Sequence, residues 1–259
     1  MSKDFNKQLE EDGQAVESRI IEGRNAVLEA FRSGKTIDKL FIQDGCKDGP
    51  VMTILREAKK TDCLISYVKR ERLDQLSETG HHQGVLAYGA SYSYAEVSDI
   101  LQKAKDKGES PFIIFLDGIE DPHNLGAIIR TANQAGAHGV VIPKHRAVGL
   151  TPTVAISSAG ALNYTPVAKV TNMAQTIESL KEEGMWFVCA DMDGTRMYDL
   201  NLKGAIGLVI GNEGKGVSDL VKKKCDMVAS IPMMGDIDSL NASVACGVLA
   251  YEIVRQRLG

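Results

Sequence analysis

The stretch from Phe112 to Pro143 reads FIIFLDGIEDPHNLGAIIRTANQAGAHGVVIP, and both of its ends are short, unbroken apolar runs. Runs such as FIIFLD and GVVIP are typical of parallel strands that are covered on both faces. The middle is rich in small residues and predicts a helix, with Asn124 as its N-cap and Gly136 as its stop. The sequence therefore predicts a strand, helix, strand unit of an α/β fold.

The same alternation continues to the end of the chain. Strands are predicted at TPVAKV, WFVCAD, AIGLVIG and MVASIPM, and helices at NMAQTIESLKEEG and from about Asn241 to Arg257. This order predicts a doubly wound, mostly parallel sheet. Ligands of such sheets bind beyond the carboxyl ends of strands, which directs attention to the loops after Asp117, Pro143, Asp191, Gly211 and Pro232.

The first part of the chain divides into segments of different composition. Residues 1–17 are acidic and polar and are predicted to be disordered. Residues 18–90 alternate predicted helices, such as IEGRNAVLEAFRSG, with predicted strands, such as IDKLFIQ, and form a separate compact α/β unit. Residues 91–110 are predicted to be a linker with a polar helix, so that residues 111–259 form the second domain.

Composition and charge argue against several classes of protein. Of the 259 residues 44% are hydrophobic, which is ordinary for a globular protein. The five scattered cysteines show no metal-binding spacing and predict a reducing, cytoplasmic location without a metal site. No apolar run suits a signal peptide or a membrane span. The formal net charge is -4, but residues 18–90 carry 12 basic and 10 acidic side chains, which weakly favours a polyanion partner.

A glycine-rich loop, LVIGNEGKGVS, follows one of the predicted strands. It has neither the P-loop spacing nor the GxGxxG fingerprint, so ATP and NAD are poor candidates as ligands. Its glycines would let the backbone approach a ligand closely, and Glu213 would place a carboxylate in the crevice. Taken alone, the loop is better explained as a plain turn.

Two further groups of polar residues belong to predicted helices. Ser239 and Asn241 precede the last apolar helix and suit capping, which is enough to explain both of them. In the helix of the opening stretch, Gly126, Arg130 and Asn133 fall on one face. Arg130 therefore belongs to a thin polar stripe that points at solvent, a partner surface or a ligand, and solvent is the commoner case.

The three loops form a pattern together that none of them forms alone. N-x-G-x3-R, I-G-N-E-G-x-G, and I-P-M-x-G with S-L-N-x-S-V-A resemble, in this order, the three motifs of the SpoU (TrmH) branch of the SPOUT methyltransferases. The resemblance covers residues 111–259, with Ala242 as a departure where the family more often has valine. Residues 18–90, with HHQGVLA, look like the ribosomal-protein-like RNA-binding domain often fused to this branch. The pairing is most similar to the bacterial 23S rRNA guanosine-2'-O-methyltransferase subgroup.

The resemblance implies a fold, a cofactor and a reaction. It implies a C-terminal trefoil knot, a homodimer whose active site is shared between subunits, and methylation of a ribose 2'-hydroxyl in RNA. The loop Asp191–Thr195 is expected near the adenosine of the cofactor. The residues expected to hold S-adenosylmethionine are Ile210, Gly211, Asn212, Glu213, Ile231, Pro232, Met233, Ser239, Leu240 and Asn241. The residues to which the resemblance assigns catalysis are Arg130, Glu213, Asn124, Ser239 and Asn241.

The resemblance also implies that Arg130 enters the active site of the other subunit. Its counterpart is sometimes described as a general base, but a guanidinium with a pKa above about 12 is a poor proton acceptor near neutral pH. A guanidinium is a good clamp for phosphate and for negative charge that develops on oxygen. Our hypothesis is therefore that Arg130 positions the nucleotide and stabilises the transition state.

Ribosomal RNA is the expected partner. In the N-terminal unit the residues expected to contact it are Arg19, Arg24, Arg32, Lys35, His81 and His82. Three alternatives stay open: a tRNA 2'-O-methyltransferase, an rRNA adenosine 2'-O-methyltransferase that confers antibiotic resistance, and a non-catalytic RNA-binding ribosome assembly factor. The separate N-terminal domain argues against the first, and the intact motif residues argue against the last.

Overall fold

A computed structural model describes residues 20–61, 63–89 and 92–259 of the chain. The acidic segment 1–17 and Arg19, for which disorder and RNA contact are predicted, lie outside these residues. The described chain forms two compact units, one that ends at Ser93 and one that runs from Tyr94 to Gly259. Within the described ranges, no helix is long and apolar enough to cross a membrane.

The N-terminal unit is a four-stranded sheet in which a helix follows each of three strands. Its elements in chain order are β1 (Ile20–Glu22), α1 (Arg24–Arg32), β2 (Ile37–Gln43), α2 (Gly49–Lys60), β3 (Leu64–Val68), α3 (Arg70–Leu76) and β4 (Val85–Gly89). The strand order is β1-β4-β2-β3. Strands β2 and β3 are parallel, and β4 is antiparallel to both β1 and β2. The carboxyl ends of β1, β2 and β3 therefore lie at one edge of the sheet, where β4 begins.

The apolar residues of α1 bury one face of the helix. Val27 and Phe31 are buried in one cluster with Leu40 of β2. The predicted helix IEGRNAVLEAFRSG is wrong at its beginning, because Ile20–Glu22 pairs with β4 as a strand. Gly23 separates the strand from the helix with a φ of +86°, a conformation that favours glycine.

The carboxylate of Glu22 ties the segment before β4 to the end of β1. It accepts hydrogen bonds from Ser77 Oγ, from Glu78 N at 2.6 Å, from Thr79 N at 3.1 Å and from Thr79 Oγ1 at 2.8 Å. Partial burial opposes ionisation, but the four hydrogen bonds outweigh it and lower the pKa of Glu22 to about 2.

Replacing this carboxylate, in Glu22→Gln, is expected to destabilise the N-terminal unit at neutral pH. Because the folded-state pKa lies below the ordinary 4.5, ionised Glu22 contributes stability above pH 4.5 that is lost as the pH falls toward 2. Allowing for solvent screening, the loss at pH 7 is about 1–2 kcal/mol. Urea unfolding measures it, with Glu29→Gln on the exposed side of α1 as the control. A deficit that stays constant between pH 7 and pH 2.5 would contradict this role of Glu22.

The second unit is a six-stranded parallel sheet with helices on both faces. Its strands are β5 (Phe112–Asp117), β6 (Gly139–Pro143), β7 (Val167–Val170), β8 (Trp186–Arg196), β9 (Ile206–Gly211) and β10 (Met227–Ser230). Its helices are α4 (Val97–Asp106), α5 (Pro122–Gln134), α6 (Pro152–Ser157), α7 (Met173–Glu182), α8 (Asp219–Lys222) and α9 (Ala242–Leu258). The strand order is β10-β8-β9-β5-β6-β7, and every neighbouring pair is parallel. The predicted α/β fold with a mostly parallel sheet is confirmed.

Different helices cover the two faces of this sheet. Ile113 and Phe115 of β5 pack with Ile100 of α4 in a cluster that also holds side chains of α7. Since side chains alternate along a strand, Phe112 faces the other side. There the guanidinium of Arg257 in α9 lies 5.2 Å from the centre of the Phe112 ring. Helix α9 packs against α5 on this second face.

Helix α5 begins earlier than the sequence analysis predicts. Asp121 is its N-cap, with Oδ1 accepting a hydrogen bond from His123 N at 2.9 Å, and Pro122 occupies the first helical position. The prediction of Asn124 as the N-cap is therefore wrong. The side chain of Asn124 can instead contact residues outside the helix. Gly136, with a φ of +71°, is confirmed as the stop.

Strand β8 is longer than the predicted segment WFVCAD and is interrupted in the middle. Its pairing with β10 stops at Cys189 and resumes at Thr195, so the residues between them bulge out of the ladder. A Cβ at Gly194 would lie 2.6 Å from the carbonyl oxygen of Val228, so this close approach requires glycine. The bulge therefore sets residues 190–194 apart from the regular strand.

Candidate active site

The loop after β9 is held against the loop after β5, because the two strands are paired through Asp117 and Gly211. Asn212 Nδ2 donates a hydrogen bond to Gly118 O at 2.9 Å, and its Oδ1 accepts from the backbone two residues further on at 2.9 Å. A Cβ at Gly211 would overlap the backbone of Gly216, so the loop can fold back on the strand end only at a glycine. The glycine-rich loop is therefore a fixed part of the crevice.

Asn124, Glu213 and Asn241 meet at this edge of the sheet. Asn124 Nδ2 donates to Glu213 Oε1 at 2.7 Å. Asn241 Nδ2 donates to Asn124 Oδ1 at 3.1 Å and also to Glu213 Oε1. Asn124 is buried, whereas Glu213 and Asn241 are exposed. These three residues, here called the Asn-Glu-Asn cluster, come from three different motifs and join them in one site.

Asn241 also caps helix α9, as predicted. Its Oδ1 accepts hydrogen bonds from Ser243 N at 3.0 Å, from Ser243 Oγ at 2.6 Å and from Val244 N at 3.4 Å. Ser239 is exposed and forms no hydrogen bond with another described residue. The structure therefore brings three of the five predicted catalytic residues together in the cluster. The other two lie elsewhere: Ser239 is on the exposed segment before α9, and Arg130 is on α5.

Asn241→Ala is expected to lower the free energy of unfolding by about 1–2 kcal/mol, because it removes a helix cap and leaves buried Asn124 without one partner. Urea unfolding measures the change. Asn163→Ala, at an exposed asparagine of the same unit, is the matched control and should stay close to the wild type. Equal stabilities of the two variants would show that the cap and the cluster contribute nothing.

The segment between β10 and α9 offers unpaired backbone and apolar side chains to a ligand. From Pro232 to Leu240, no backbone or side-chain group forms a hydrogen bond with another described residue. Backbone N–H and C=O groups must then be satisfied by water or by a ligand. Ile231 and Met233 are half-buried and Ile237 is exposed, so apolar surface lies beside these open donors and acceptors. This combination suits a flat heterocycle with polar edges.

The bulged part of β8, where Asp191–Thr195 is expected near the cofactor, is anchored on two sides. Lys222 Nζ lies 2.7 Å from Asp191 Oδ2, and the hydrogen bond from Lys222 holds the pKa of the Asp191 carboxyl below its ordinary value. Ser230 Oγ donates to Gly194 O at 2.9 Å. The bulge therefore has a defined position next to the end of β10, where the open segment begins.

Arg130 is exposed and, within the described part of the chain, forms no hydrogen bond or ion pair. It follows Asn124 by six residues, which is about 9 Å along the helix axis and about 240° around it. Of the predicted polar stripe, Gly126 packs closely against α6, and Asn133 Nδ2 donates to Thr165 Oγ1 at 3.2 Å. Arg130 is thus the member of the stripe that reaches the surface, on a side of α5 different from that of Asn124.

Sequence reasoning missed three residues that shape this edge. Asp121 caps α5, and the Asp-Pro dipeptide was a local signal for it. Asp117 Oδ2 accepts from Ser218 N at 2.8 Å, and its place at the end of a buried strand was a weaker signal. Lys222 pairs with Asp191 across 31 positions of the chain, and no local pattern indicates that pair.

The residues predicted to contact RNA have different environments. Arg32, Lys35 and His81 are exposed. Arg24 is half-buried. His82 is 3% exposed, Nε2 lies 2.8 Å from Asp74 Oδ1, and Nδ1 accepts from Gly84 N at 3.0 Å. The prediction of His82 as a hydrogen-bonding contact for RNA is therefore wrong, because both of its ring nitrogens are used inside the unit.

Two known protein families match parts of this chain. Residues 111–251 match the SpoU rRNA Methylase family, and residues 20–95 match the RNA 2'-O ribose methyltransferase substrate binding domain. The chain belongs to the SpoU rRNA methylase family. The predicted family is therefore confirmed. The predicted cofactor, S-adenosylmethionine, is confirmed as well, because it is the cofactor of this family.

Relatives and solved structures agree with this membership. A TrmH family tRNA/rRNA methyltransferase of Bacillus subtilis, YacO, is 50% identical over 238 residues, which are 91% of this chain and 94% of that protein. The SpoU methyltransferase AviRb from Streptomyces viridochromogenes, in complex with AdoMet (S-adenosylmethionine), is 26% identical with a TM-score of 0.59, over 92% of this chain and 90% of AviRb. The A. aeolicus TrmH/SpoU tRNA modifying enzyme is 26% identical with a TM-score of 0.53, over 61% of this chain and 84% of that enzyme. The chain is an RNA methyltransferase of this family.

Proposed function

We propose that this RNA methyltransferase methylates a ribose 2'-hydroxyl, that of a guanosine in 23S rRNA, with S-adenosylmethionine as the methyl donor. The observation that carries the proposal is the Asn-Glu-Asn cluster. In it, Asn124, Glu213 and Asn241 join the three motifs at the carboxyl edge of a parallel sheet, where ligands of such sheets bind.

The crevice fits the cofactor in its chemistry. When bound, S-adenosylmethionine supplies an electrophilic methyl group on a sulfonium sulfur. The open backbone groups of Pro232–Leu240 can pair with a purine edge, and the exposed carboxylate of Glu213 suits a cationic ligand. The residues proposed to hold the cofactor are Ile210, Gly211, Asn212, Glu213, Ile231, Pro232, Met233, Ser239, Leu240 and Asn241. Residues 191–195 are proposed to flank its adenosine.

Arg130 is proposed to bind the phosphate beside the target ribose and to stabilise negative charge on the 2'-oxygen as its proton leaves. A guanidinium offers several donors and no acceptor, which suits this role. The Asn-Glu-Asn cluster is proposed to hold the ribose side of the site in place, and the exposed hydroxyl of Ser239 to contact the ribose.

The Arg130 that serves each cluster is proposed to come from a second copy of the chain. Support comes from the position of Arg130 on a side of α5 away from Asn124. Further support comes from α6, α9 and the adjoining turn, which pack on α5 and carry exposed large apolar residues. These residues are Ile156, Tyr164, Val244 and Tyr251. Exposed apolar residues grouped on neighbouring elements are typical of an interaction surface, and a symmetric dimer is its commonest use.

The C-terminal segment is proposed to form the trefoil knot of the family. Strand β10 lies at the edge of the sheet beside β8, but the next helix, α9, packs on α5 and contacts β9 near the middle of the sheet. The connection Ile231–Asn241 therefore has to return across the carboxyl ends of β8 and β9. A crystal structure traced continuously through this connection would establish whether it passes through a loop of the chain.

Ribosomal RNA is favoured over tRNA by the N-terminal unit. Residues 20–95 match a substrate-binding domain, whereas the A. aeolicus tRNA modifying enzyme matches 61% of this chain. The proposed substrate implies a cytoplasmic site of action. The decisive experiment maps 2'-O-methyl groups on total RNA from a deletion strain and its parent by resistance to alkaline cleavage. The expected result is the loss of one guanosine methyl in 23S rRNA.

The alternatives predict other outcomes of that map. A lost tRNA methyl would indicate a tRNA enzyme, and a lost rRNA adenosine methyl with a change in antibiotic sensitivity would indicate a resistance enzyme. If no RNA position changes, the proposal is wrong. Calorimetric titration with S-adenosylmethionine then tests the remaining alternative, because a non-catalytic assembly factor has no need to bind it.

A further inference from the structure

A concave pocket lies at one edge of the sheet of the N-terminal unit. The carboxyl ends of β1, β2 and β3 meet there, next to the residues that lead into β4. The pocket has a volume of about 540 Å³, within the range of ligand sites. The residues of its lining that matter here are Arg24, Gln43, Cys46, Arg70, Gln83 and Gly84. None of the described residues that line it is acidic.

One of its two arginines is held in place. Arg24 Nη2 lies 2.7 Å from Asp48 Oδ2, and Arg24 Nε donates to Gln83 O at 3.1 Å. The backbone N–H of Arg24 donates to Gln83 Oε1 at 3.2 Å. The guanidinium of Arg24 is therefore oriented before any ligand arrives, and its charge is balanced by Asp48.

The other arginine carries charge that is not balanced inside the unit. Arg70 follows the end of β3, is exposed, and forms no ion pair with a described residue. The two arginines of the lining are therefore both cationic, and Arg70 is the one whose charge is not paired with a carboxylate of the described residues. A concave lining with an unpaired guanidinium suits an anionic ligand.

The turn before β4 lines the pocket and has a constrained backbone. Buried His82 accepts from Gly84 N through Nδ1, so its position defines this turn. Gln83 has a φ of +51°, in the left-handed region that non-glycine residues seldom adopt. A Cβ at Gly84 would lie 3.3 Å from Gln43 Oε1 and from Cys46 Sγ, so glycine leaves the amide of Gln43 room at the pocket floor.

We propose that this pocket binds one unpaired nucleotide of the RNA substrate. Arg70 and Arg24 bind its phosphodiester, and the amide of Gln43 forms hydrogen bonds with an edge of its base. An amide side chain pairs with base edges that only an unpaired, splayed nucleotide exposes, whereas a duplex presents a convex backbone. The inference rests on the proposed function in one respect, because it takes the bound RNA to be the substrate.

The test compares four proteins: the wild type, Arg70→Ala, Arg70→Lys and the control Arg56→Ala. Arg56 is an exposed arginine on α2 of the same unit and lies outside the pocket lining. Binding is measured by fluorescence anisotropy at several salt concentrations, with an unmodified 23S rRNA transcript, a short hairpin with an unpaired loop, and a fully paired duplex of the same length. Methylation of the transcript then gives KM and kcat.

Arg70→Ala is expected to weaken binding of the transcript and of the hairpin about tenfold. It is also expected to make the slope of log K against log salt shallower by about 0.7, the value for one phosphate contact on a single strand. Arg70→Lys should keep that slope and recover part of the affinity, because it retains the charge but loses the planar donor set. KM should rise without a change in kcat, and the affinity for S-adenosylmethionine should not change.

Equal affinities and salt slopes for Arg70→Ala and Arg56→Ala would overturn the proposal, as would an equal loss of binding to hairpin and duplex. Failure of the proposed function has a different signature. In that case the wild type transfers no methyl group to a ribose, while the anisotropy comparison, which needs no catalysis, still tests the pocket. All the substitutions lie at exposed positions, so circular dichroism and urea unfolding should match the wild type.

Discussion

Arg130→Ala is expected to lower kcat for ribose methylation by a factor of about 10² to 10³, the usual effect of removing one donor from a developing oxyanion. The affinity for S-adenosylmethionine should stay unchanged, because the residues proposed to hold it lie on other loops. Single-turnover methylation of an unmodified 23S rRNA transcript measures the rate, and calorimetry measures the affinity. Gln134→Ala, at an exposed position of the same helix, is the control and should behave as the wild type.

The pH dependence of Arg130→Lys separates a clamp from a base. A lysine can lose its proton in the accessible pH range, whereas a guanidinium cannot. If Arg130 acts as a base, the variant should regain activity along a titration curve as the pH rises. The clamp hypothesis expects a low rate without such a titration, since the lysine retains charge but lacks the planar set of donors. A rate that follows deprotonation of the new lysine would refute the clamp.

The second large effect is expected from mixing two inactive subunits. In the proposed homodimer, the Arg130→Ala and Glu213→Ala variants should both be inactive, because each lacks one component of every site. In a heterodimer of the two, a site shared between subunits receives Arg130 from one chain and Glu213 from the other. One of its two sites is then complete, so about half of the wild-type activity should return.

The heterodimer is isolated by co-expression with two different affinity tags and sequential purification. A wild-type dimer with the same two tags is the reference, and a doubly tagged Arg130→Ala dimer is the negative control. If Arg130 instead serves the cluster of its own chain, both sites of the heterodimer are incomplete and the activity stays at the level of the negative control. Light scattering of the wild type provides an independent check, since a fully active monomer would exclude a shared site.

The elements that the sequence predicts well are those whose signals are local. The runs at Phe112–Asp117 and Gly139–Pro143 have their predicted boundaries, because unbroken apolar strands that end at turn residues are recognisable from burial alone. The error at the start of α5 is local too. Asp121 and Asn124 are both good cap residues, and only Pro122 distinguishes between them.

A second kind of error concerns side chains whose burial depends on how the chain folds. His81 and His82 have the same side chain at adjacent positions, yet one is exposed and the other is buried between Asp74 and Gly84. A charge pattern cannot separate the two, because burial depends on how the turn is folded. The sequence also gives no sign that Arg24 and Arg70 lie near each other. Only the folded sheet of the N-terminal unit brings both of them to one pocket.

The sequence by itself determined the class of the fold, the two-part organisation and the family, because apolar periodicity and the order of three short motifs are properties of the linear chain. Only the tertiary structure decided that Asn124, Glu213 and Asn241 share hydrogen bonds although 89 and 117 positions separate Asn124 from the other two. It also decided that Arg130 reaches the surface on a side of α5 different from that of Asn124. The reason is that contacts between distant residues depend on strand order and on the path of the loops, and local propensity encodes neither.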